Sequence, residues 1–350
     1  MIINYKCQNG VLQLEFTPEK SDQTIQYQLS NTYKKMNKVE MTSTRCEIHL
    51  PKDWTIEDSH PDVFALAMLS IIYPFCGSEM KLPQGVSKDF HDQVFKITKK
   101  KVLPVNDKLS PRKAPSNSVP ALAFSGGIDS TAAVLLLPED THLFYIDRIT
   151  PKGTRTLLNQ EAAYYACDAM ADLGKMVHKI KTDLQYLRKP VGFNSFLADV
   201  VPALLLADYY GFDSIANGHT LEEGYRIGYL GYQDCKDTEL INPWYSLLVK
   251  IDMPYTLPTI GLSEVCTTTI VKRSPYHEFA QACSRGKIKK PCMNCYKCFR
   301  KSLLEKVLEN RPIHDRFLDE LFKIKDVKWA INTPHLHFSN VISYITAHYS

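Results

Sequence analysis

The chain has 350 residues, of which 44% are hydrophobic and 23% are charged, so it can bury a sizeable core and is not broadly disordered. Its 42 Lys and Arg against 38 Asp and Glu leave a formal net charge of +4, which excludes a protein that holds nucleic acid by bulk charge alone. It contains no apolar run near the roughly 20 residues that span a bilayer, and its first residues lack a charged segment followed by an apolar one, so we expect a cytoplasmic protein without membrane contact.

Residues 1–110 are predicted to form an accessory domain, mostly of strands with one or two helices. Short runs of mixed polar and apolar residues, separated by turn formers, predict a small antiparallel sheet. These runs are 2–7, 11–16, 24–29 and 39–50. A buried helix is predicted over 60–75, with Ser59 as its cap and Pro61 in its first turn, and a second over 88–96.

Residues 99–120 hold four prolines and show no apolar periodicity, which predicts a linker or a surface crossing. We place the boundary between domains at 111–119. The lysines at 96 and 99–101 predict a basic ridge, which is either a solvated face or a contact for RNA.

From residue 120 the sequence alternates between apolar strands and helices. The predicted strands are 120–124, 141–147, 176–182 and 213–218, and the predicted helices are 129–137, 159–174 and 194–211. Such alternation predicts an α/β domain over 120–280, a doubly wound parallel sheet covered by helices on both faces. Residues 281–350 are predicted to form a cysteine knuckle followed by helices.

A glycine-rich loop with the sequence SGGIDS, residues 125–130, joins the first of these strands to a helix. The glycines allow an anion to approach the backbone, and the start of the helix offers unpaired N–H groups. The loop lacks the Gly-Lys-Ser/Thr ending of a Walker motif and the third glycine of a dinucleotide fingerprint. It therefore predicts another kind of phosphate cradle, with a tight capped turn as the alternative. The candidate nucleotide-binding residues are Ser125, Gly126, Gly127, Ile128, Asp129 and Ser130.

This loop resembles the pyrophosphate loop of the N-type ATP pyrophosphatases, which include GMP synthetase, NAD synthetase, asparagine synthetase and tRNA thiolation enzymes. The resemblance implies an adenine nucleotide alpha hydrolase-like fold and cleavage of ATP between its α and β phosphates. A substrate oxygen is adenylated, pyrophosphate departs, and ammonia or a sulfur donor displaces AMP. Ser125, Asp129 and Glu222 are then the candidate catalytic residues, with Mg²⁺ held by Asp129 and Glu222.

The ten cysteines of the chain include four within sixteen residues, Cys283, Cys292, Cys295 and Cys298. Their spacing suits a tetrahedral Zn²⁺ bound by four thiolates, a closed and structural site. An iron–sulfur cluster is the chief alternative, and unliganded structural cysteines are a weaker one.

The cluster and the Arg300 that follows it resemble 7-cyano-7-deazaguanine synthase, which converts a carboxylate through an amide to a nitrile. Two further segments are similar to that family: KPVGFNSFL at 189–197, with Phe193 in place of an arginine, and GYQDC at 231–235, with glutamine in place of proline. The resemblance covers about 120–305, and residues 1–110 have no counterpart in it. It implies a deazapurine-like substrate, and the candidate substrate contacts are Asn194, Tyr232, Asp234 and Cys235.

A second candidate segment, IANGHTLEEGY at 215–225, ends a predicted strand, where ligands of open α/β sheets bind. Gly218 allows close approach, His219 is placed to contact phosphate or substrate, and the acidic pair that includes Glu222 suits Mg²⁺. The alternative is a turn that leads into an exposed acidic helix. Asp147, at the end of another strand, is a further candidate nucleotide contact or a surface turn residue.

Three further candidates each allow two interpretations. Asn194 either binds substrate or caps the following helix. Cys235 is either a sulfur carrier or, more commonly for a lone cysteine, a structural residue or a substrate contact. The tyrosines 225, 229 and 232 form either an aromatic wall for a planar base or ordinary packing.

Taken together, these features predict an ATP-dependent, AMP-forming ligase that adenylates a small carboxylate and passes it to ammonia, giving an amide or a nitrile. A tRNA- or metabolite-thiolation enzyme with the same adenylation step is the first alternative. A nucleotide- or nucleic-acid-binding module without catalysis is the second. Residues 1–110 are a candidate contact for a tRNA or protein substrate, and a homodimer is compatible with the sequence.

Overall fold

A computed structural model of the protein describes residues 1–29, 36–228 and 232–349. The strands are β1 Ile2–Gln8, β2 Val11–Thr17, β3 Ile25–Leu29, β4 Met36–Met41, β5 Arg45–His49, β6 Glu79–Ser87, β7 Lys101–Asn106, β8 Val119–Ala123, β9 His142–Arg148, β10 Val177–Thr182, β11 Arg188–Lys189, β12 Phe212–Asn217 and β13 Tyr255–Thr256. The helices are α1 Pro61–Ile72, α2 Lys88–Thr98, α3 Ile128–Val134, α4 Glu161–Asp172, α5 Val201–Leu205, α6 Ala207–Tyr210, α7 Leu221–Gly224, α8 Trp244–Lys250, α9 Glu264–Lys272, α10 Tyr296–Leu308, α11 Asp315–Lys323, α12 Lys325–Ile331 and α13 Ser339–Ala347.

One long sheet runs through the molecule in the order β13-β12-β8-β9-β10-β5-β2-β1-β6-β7. Its first five strands are parallel, as the strand–helix alternation predicts. At β10 the sheet turns antiparallel and continues through β5, β2 and β1, while β6 and β7 are again parallel to β1. The protein is therefore mixed α/β with a mostly parallel sheet and an antiparallel amino-terminal part, which confirms the predicted fold class.

Helices cover both faces of the parallel strands because neighbouring residues on a strand point to opposite sides. On β8, Leu122 packs in a core with α3 and α4, whereas Ala121 belongs to the larger core that contains α1 and α5. On β9 the same alternation separates Leu143 from Phe144. The two faces are thus independently buried, which is the doubly wound arrangement.

The amino-terminal strands do not form a separate small sheet. Residues 39–50 divide into β4 and β5, and only β5 joins the long sheet, where Ile48 pairs with Thr182 of β10. β4 instead lies in a three-stranded sheet of order β11-β4-β3. Residues 1–110 and 120–280 thus share backbone hydrogen bonds, and their division into domains remains a prediction.

Three local predictions need correction. The cap of α1 is His60, whose Nδ1 accepts from the Asp62 N–H at 3.1 Å, and not Ser59. The segment 99–120 is not simply a linker, since it contains the strand β7. The helix predicted over 194–211 is a short 3₁₀ turn followed by α5 and α6.

The rest of the segment before β8 is held by a buried arginine. Arg112 is 2% exposed, and its guanidinium donates to the carboxylate of Asp208 at 2.7 Å and to the carbonyl of Phe212 at 2.7 Å. A charge buried in this way needs such partners, and they fix the chain to β12.

The carboxyl-terminal part is helical, as predicted. α10 packs against α9, α12 and α13 around an apolar core that includes Phe299, Leu304 and Ile345. Among the described residues, none of the helices has both the length and the apolar character that crossing a membrane requires.

Candidate nucleotide site and cysteine cluster

The glycine loop and the second candidate segment meet at one edge of the sheet. β8 and β12 are parallel, and their last residues, Ala123 and Asn217, are paired in register. The loop begins two residues after Ala123, and Gly218 follows Asn217 directly. Because the carboxyl ends of parallel strands lie together, both segments open into the same cleft.

Glycines allow this close contact. A side chain at Gly218 would place its Cβ 2.8 Å from the carbonyl oxygen of Asp129 and from the Cα of Ser130. Gly126 has a φ of +72°, and a Cβ there would lie 3.0 Å from the Cβ of Ala166 on α4. The loop therefore fits between α4 and the end of β12 only with glycine at both positions.

Two serine hydroxyls close the loop. The Oγ atoms of Ser125 and Ser130 lie 3.1 Å apart, and Ser130 Oγ donates to the carbonyl of Gly127 at 3.1 Å. The N–H of Gly127 donates to Ser125 Oγ at 3.3 Å. Hydroxyl and amide donors are thus gathered at one point, as a cradle for an anion requires.

Asp129 joins the loop to a buried ionic network. Its Oδ1 accepts from Thr267 Oγ1 at 2.7 Å and lies 3.8 Å from the ammonium of Lys301. Lys301 also lies 3.2 Å from Glu264, which accepts two hydrogen bonds of 2.7 Å from the guanidinium of Arg300. Burial raises the pKa of Glu264, but Lys301 and Arg300 outweigh it and hold the pKa at about 2.

Above the loop lies a cleft of about 320 Å³. Of the predicted nucleotide-binding residues, the cleft is lined by Ser125, Gly127, Asp129, Ser130, Gly218 and His219. Glu223, one of the two acids predicted to bind Mg²⁺, also lines the cleft. The lining further includes residues that the sequence did not single out for this site, namely Arg148, Gln160, Asp199, Asn217 and Lys297. Arg148 is the last residue of β9 and lies at the same edge of the sheet as the loop. Its place at the end of a predicted parallel strand is a signal that could have identified it as a site residue.

His219 and two acids form a coupled group in the cleft. His219 Nδ1 lies 2.8 Å from Glu223 Oε2, and Asp199 accepts from Asn217 Nδ2 at 2.6 Å. Burial lowers the pKa of His219, but the hydrogen bond to Glu223 and the nearby Asp199 and Asp129 outweigh it, so this pKa lies above its ordinary value. The pKa of Glu223 is correspondingly lowered, and burial raises that of Asp199.

Two acids that were predicted to act on the nucleotide point elsewhere. Glu222 is fully buried outside the cleft, where its carboxylate accepts from the backbone N–H of Glu264 at 3.1 Å and from Asn340 Nδ2 at 2.6 Å. Asp147 accepts from Tyr164 at 2.5 Å and from Gln160 at 3.2 Å, and it does not line the cleft.

The predicted substrate contacts also lie outside the cleft lining. Asn194 is buried, and its Nδ2 donates to the carbonyl of Ile71 in α1 at 2.6 Å. Tyr232 is 73% exposed and stacks on Tyr225, with ring centroids 6.0 Å apart. The Asp234 carboxylate caps a short 3₁₀ turn that begins at Cys235. Tyr229 and Gly231 lie outside the described residues.

Cys235 is half-buried, and burial raises the pKa of its thiol, with the charge of Asp234 adding to the effect. A thiol with a raised pKa is a weak nucleophile at neutral pH. This environment does not favour a sulfur carrier at Cys235.

The four clustered cysteines converge in space. Cys292 Sγ lies 3.6 Å from the Sγ atoms of Cys295 and Cys298, and those of Cys283, Cys292 and Cys298 all lie within 4.8 Å of one another. A tetrahedral zinc site with bonds of about 2.3 Å has sulfur atoms about 3.8 Å apart. Cys283, Cys292 and Cys298 could therefore hold a metal ion together, with Cys295 next to Cys292.

The cluster also borders the cleft. Cys295 caps α10 by accepting from the Cys298 N–H at 3.4 Å, and Cys283 lies in the cleft wall. The N–H of Gln281, two residues before Cys283, donates to the carbonyl of Gly126 at 3.1 Å. The segment that leads to the cysteine cluster is thus hydrogen-bonded to the glycine loop.

These features define an α/β protein with a glycine-loop cleft and an adjacent cysteine cluster. A family model described as a family of unknown function (DUF6395) matches residues 243–350, less than a third of the chain. No curated protein matches the sequence.

Among solved structures, the chain is similar to the U34-tRNA thiolase NcsA from Methanococcus maripaludis with its [4Fe-4S] cluster, at 16% identity and a TM-score of 0.32. The match covers 74% of this chain and 78% of that chain. At this TM-score it assigns no function to our chain. None of these matches supports the narrower resemblance to 7-cyano-7-deazaguanine synthase.

Proposed function

We propose that the protein is an ATP-dependent adenylating enzyme that releases AMP and pyrophosphate. The observation that carries the proposal is the glycine loop, closed by two hydroxyls and packed directly against Gly218, at the floor of a cleft. In this arrangement, the backbone amides and hydroxyls of residues 125–130 hold the phosphates, and Arg148 and Lys297 supply positive charge from the walls.

Magnesium fits beside Asp129. Its side chain is one-quarter exposed and lines the cleft, and Mg²⁺ is commonly held by one carboxylate together with substrate phosphates. The carboxylate of Glu222 is engaged by Glu264 and Asn340, and that of Glu223 by His219. The contacts of Asp129 with Thr267 and Lys301 are both made by Oδ1, so we assign Mg²⁺ to Asp129 through Oδ2. The ion would neutralise the charge that develops on the phosphates.

The substrate that we favour is a small carboxylate, with ammonia as the second reactant. A carboxylate oxygen attacks the α-phosphorus, the bond from that phosphorus to the bridging oxygen breaks, and its electron pair leaves with pyrophosphate. Ammonia then attacks the acyl carbon and displaces AMP. Arg148 and Lys297, which line the cleft together with Asp129, Asp199 and Glu223, are the groups that would pair with such an acid.

The experiment is ATP–pyrophosphate exchange with the full chain, screened against carboxylated bases, amino acids and tRNA. We expect AMP and pyrophosphate as products, and loss of exchange in Asp129→Asn. Asp140→Asn is the matched control, since Asp140 is exposed and remote from the cleft lining. Formation of ADP and phosphate, or full activity of Asp129→Asn, would contradict the proposal.

A thiolation enzyme is the second candidate, because Cys283 belongs both to the cysteine cluster and to the cleft wall. Sulfur bound at the cluster would face an adenylated substrate. Exchange that depends on tRNA and not on any small acid would favour this candidate over the ligase.

For the cysteine cluster itself we propose a structural zinc ion bound by Cys283, Cys292, Cys295 and Cys298. Its sulfur spacing is the support for zinc, and four thiolates leave no open coordination position.

A further inference from the structure

We propose that His219, oriented by Glu223, donates a hydrogen bond from Nε2 to the phosphate oxygens of the bound nucleotide where the α–β bond breaks. This inference deepens the proposed function and rests on it. His219 is then a catalytic residue, and Glu223 is a positioning residue that acts through it.

The first observation is an unsatisfied buried atom. The His219 side chain is 17% exposed, and its Nε2 is buried without a hydrogen-bond partner among the described residues. Buried polar atoms are nearly always paired in folded proteins, and the exceptions concentrate at sites that receive a ligand. Nδ1 is already paired with Glu223 Oε2 at 2.8 Å, so Nε2 is the atom left to meet a ligand.

The second observation is the place of this atom. His219 follows Gly218, where an added Cβ would lie 2.8 Å from the backbone of Asp129 and Ser130. The carbonyl of His219 accepts from Thr259 Oγ1 at 2.8 Å. The backbone of His219 is thus fixed on both sides, next to the loop. A ligand held by the loop has the imidazole at its flank, and no lid movement is needed to bring it there.

The third observation is the charge around the ring. Glu223 of α7, Asp199 before α5 and Asp129 of α3 supply negative charge, while Lys297 of α10 supplies positive charge from the cleft wall. Arg226 and His219 also line a second, smaller cavity of about 170 Å³. Burial lowers the pKa of His219, but the acids outweigh it and raise this pKa above its ordinary value, which favours the form with a proton on both ring nitrogens. With Nδ1–H directed at Glu223, Nε2–H is a charged donor.

The chemistry requires such a donor. As the bond between the α-phosphorus and the bridging oxygen breaks, negative charge collects on the departing pyrophosphate. A fixed, charged donor at this point stabilises the transition state more than the ground state. The proton remains on His219 throughout the adenylation step, so the step needs no further reactant.

The test combines rates with direct observation of the ring. His219→Ala should lower kcat for exchange by about 100-fold, the usual effect of losing one such donor. His219→Gln keeps an N–H donor and should recover part of the rate. In the wild type the rate should fall as the pH rises through the His219 pKa; Glu223→Gln should move that fall to lower pH, and His219→Gln should abolish it.

The control is another His–Glu pair, on β5, in which His49 Nε2 lies 2.9 Å from Glu47 Oε1. His49→Ala and Glu47→Gln should leave both the rate and its pH dependence unchanged. A purely structural role for His219 would lower stability without moving the pH profile.

Nuclear magnetic resonance of imidazole-labelled full chain gives a readout without turnover. The non-cleavable analogue α,β-methylene-ATP should shift the Nε2 resonance of His219. Binding of the analogue with that resonance unchanged, or wild-type exchange in His219→Ala, overturns this inference alone. Failure of the analogue to bind the wild type overturns the proposed function as well.

Discussion

At the scale of single residues, the site depends on two backbone segments that approach without side chains between them. A Cβ at Gly218 would lie 2.8 Å from the Asp129 carbonyl oxygen, and backbone atoms cannot move aside cheaply. We expect Gly218→Ala to separate β12 from the loop, with a loss of about 1–3 kcal/mol in unfolding free energy and at least about tenfold weaker binding of α,β-methylene-ATP.

Gly261→Ala is the matched control for this prediction. Neither glycine has a positive φ, and a Cβ at Gly261 meets nothing within 4 Å. It should change stability by less than about 0.5 kcal/mol. Urea unfolding and calorimetry measure both quantities, and equal nucleotide affinity in the two variants would contradict the close packing.

The loop residues could be predicted from sequence because the glycines, the hydroxyls and the strand before them are neighbours in the chain. Which of two neighbouring residues faces the cleft could not be predicted in the same way. Glu222 and Glu223 are adjacent on α7, and only the packing of α9 and Asn340 against one of them decides which faces the cleft. Asp147 and Arg148 alternate on β9 in the same way, so the aspartate meets α4 and the arginine meets the cleft.

At the scale of elements, a buried ionic network joins three helices. Glu264 at the start of α9 binds Arg300 and Lys301 of α10, and Lys301 reaches Asp129 of α3. Removing one member leaves the others charged and unpaired in the interior. We therefore expect Glu264→Gln to lower the unfolding free energy by about 3 kcal/mol at neutral pH.

The same network predicts a pH dependence with a definite sign. The pKa of Glu264 is held at about 2, below its value in the unfolded chain, so its stabilisation is complete above about pH 4.5 and is lost as the pH falls toward 2. The difference in unfolding free energy between wild type and Glu264→Gln should shrink over this range. Glu278→Gln, a control at an exposed carboxylate paired with Lys289, should show a much smaller loss because water screens this pair.

Most of the strands and helices between residues 120 and 218 follow from periodicity, whereas β6 and β7, which precede this region, were not predicted. β6 and β7 contain Pro83, Gly85 and Pro104, which signal turns in a sequence. β7 is an edge strand of the long sheet, where proline is tolerated because one side of the strand donates no ladder hydrogen bonds. Pro83 and Gly85 of β6 lie between Lys81 and Val86, where the pairing with β7 shifts register.

At the scale of the whole molecule, the long sheet could not be foreseen. Strand–helix alternation begins near residue 120, which favours two separate domains. The antiparallel and parallel parts are nevertheless joined in one sheet by the pairing between β5 and β10. Residues 48 and 182 are too far apart in the chain for any local pattern to pair them. One lysine of the predicted basic ridge has a structural role. Lys100 donates to the carbonyl of Gly77 at 3.0 Å and lies over the ring of Tyr73.

The cysteine cluster links the carboxyl-terminal helices to the cleft, and metal removal should show this link. Purified protein should carry one zinc ion per chain, and Cys292→Ser should lose it, whereas Cys266→Ser, an exposed cysteine outside the cluster, should retain it. Because Gln281 holds the Gly126 carbonyl and Cys283 forms part of the cleft wall, a chelator should weaken binding of α,β-methylene-ATP as well as loosen α10.

Metal analysis, calorimetry and hydrogen exchange of α10 on the same samples check this prediction. Iron with acid-labile sulfide in place of zinc would overturn the zinc assignment, while a metal-free protein with unchanged nucleotide affinity would show that the link through Gln281 is not needed. Restoring zinc to the chelated protein should recover both properties together, since one short segment, 281–298, connects the thiolates to the loop.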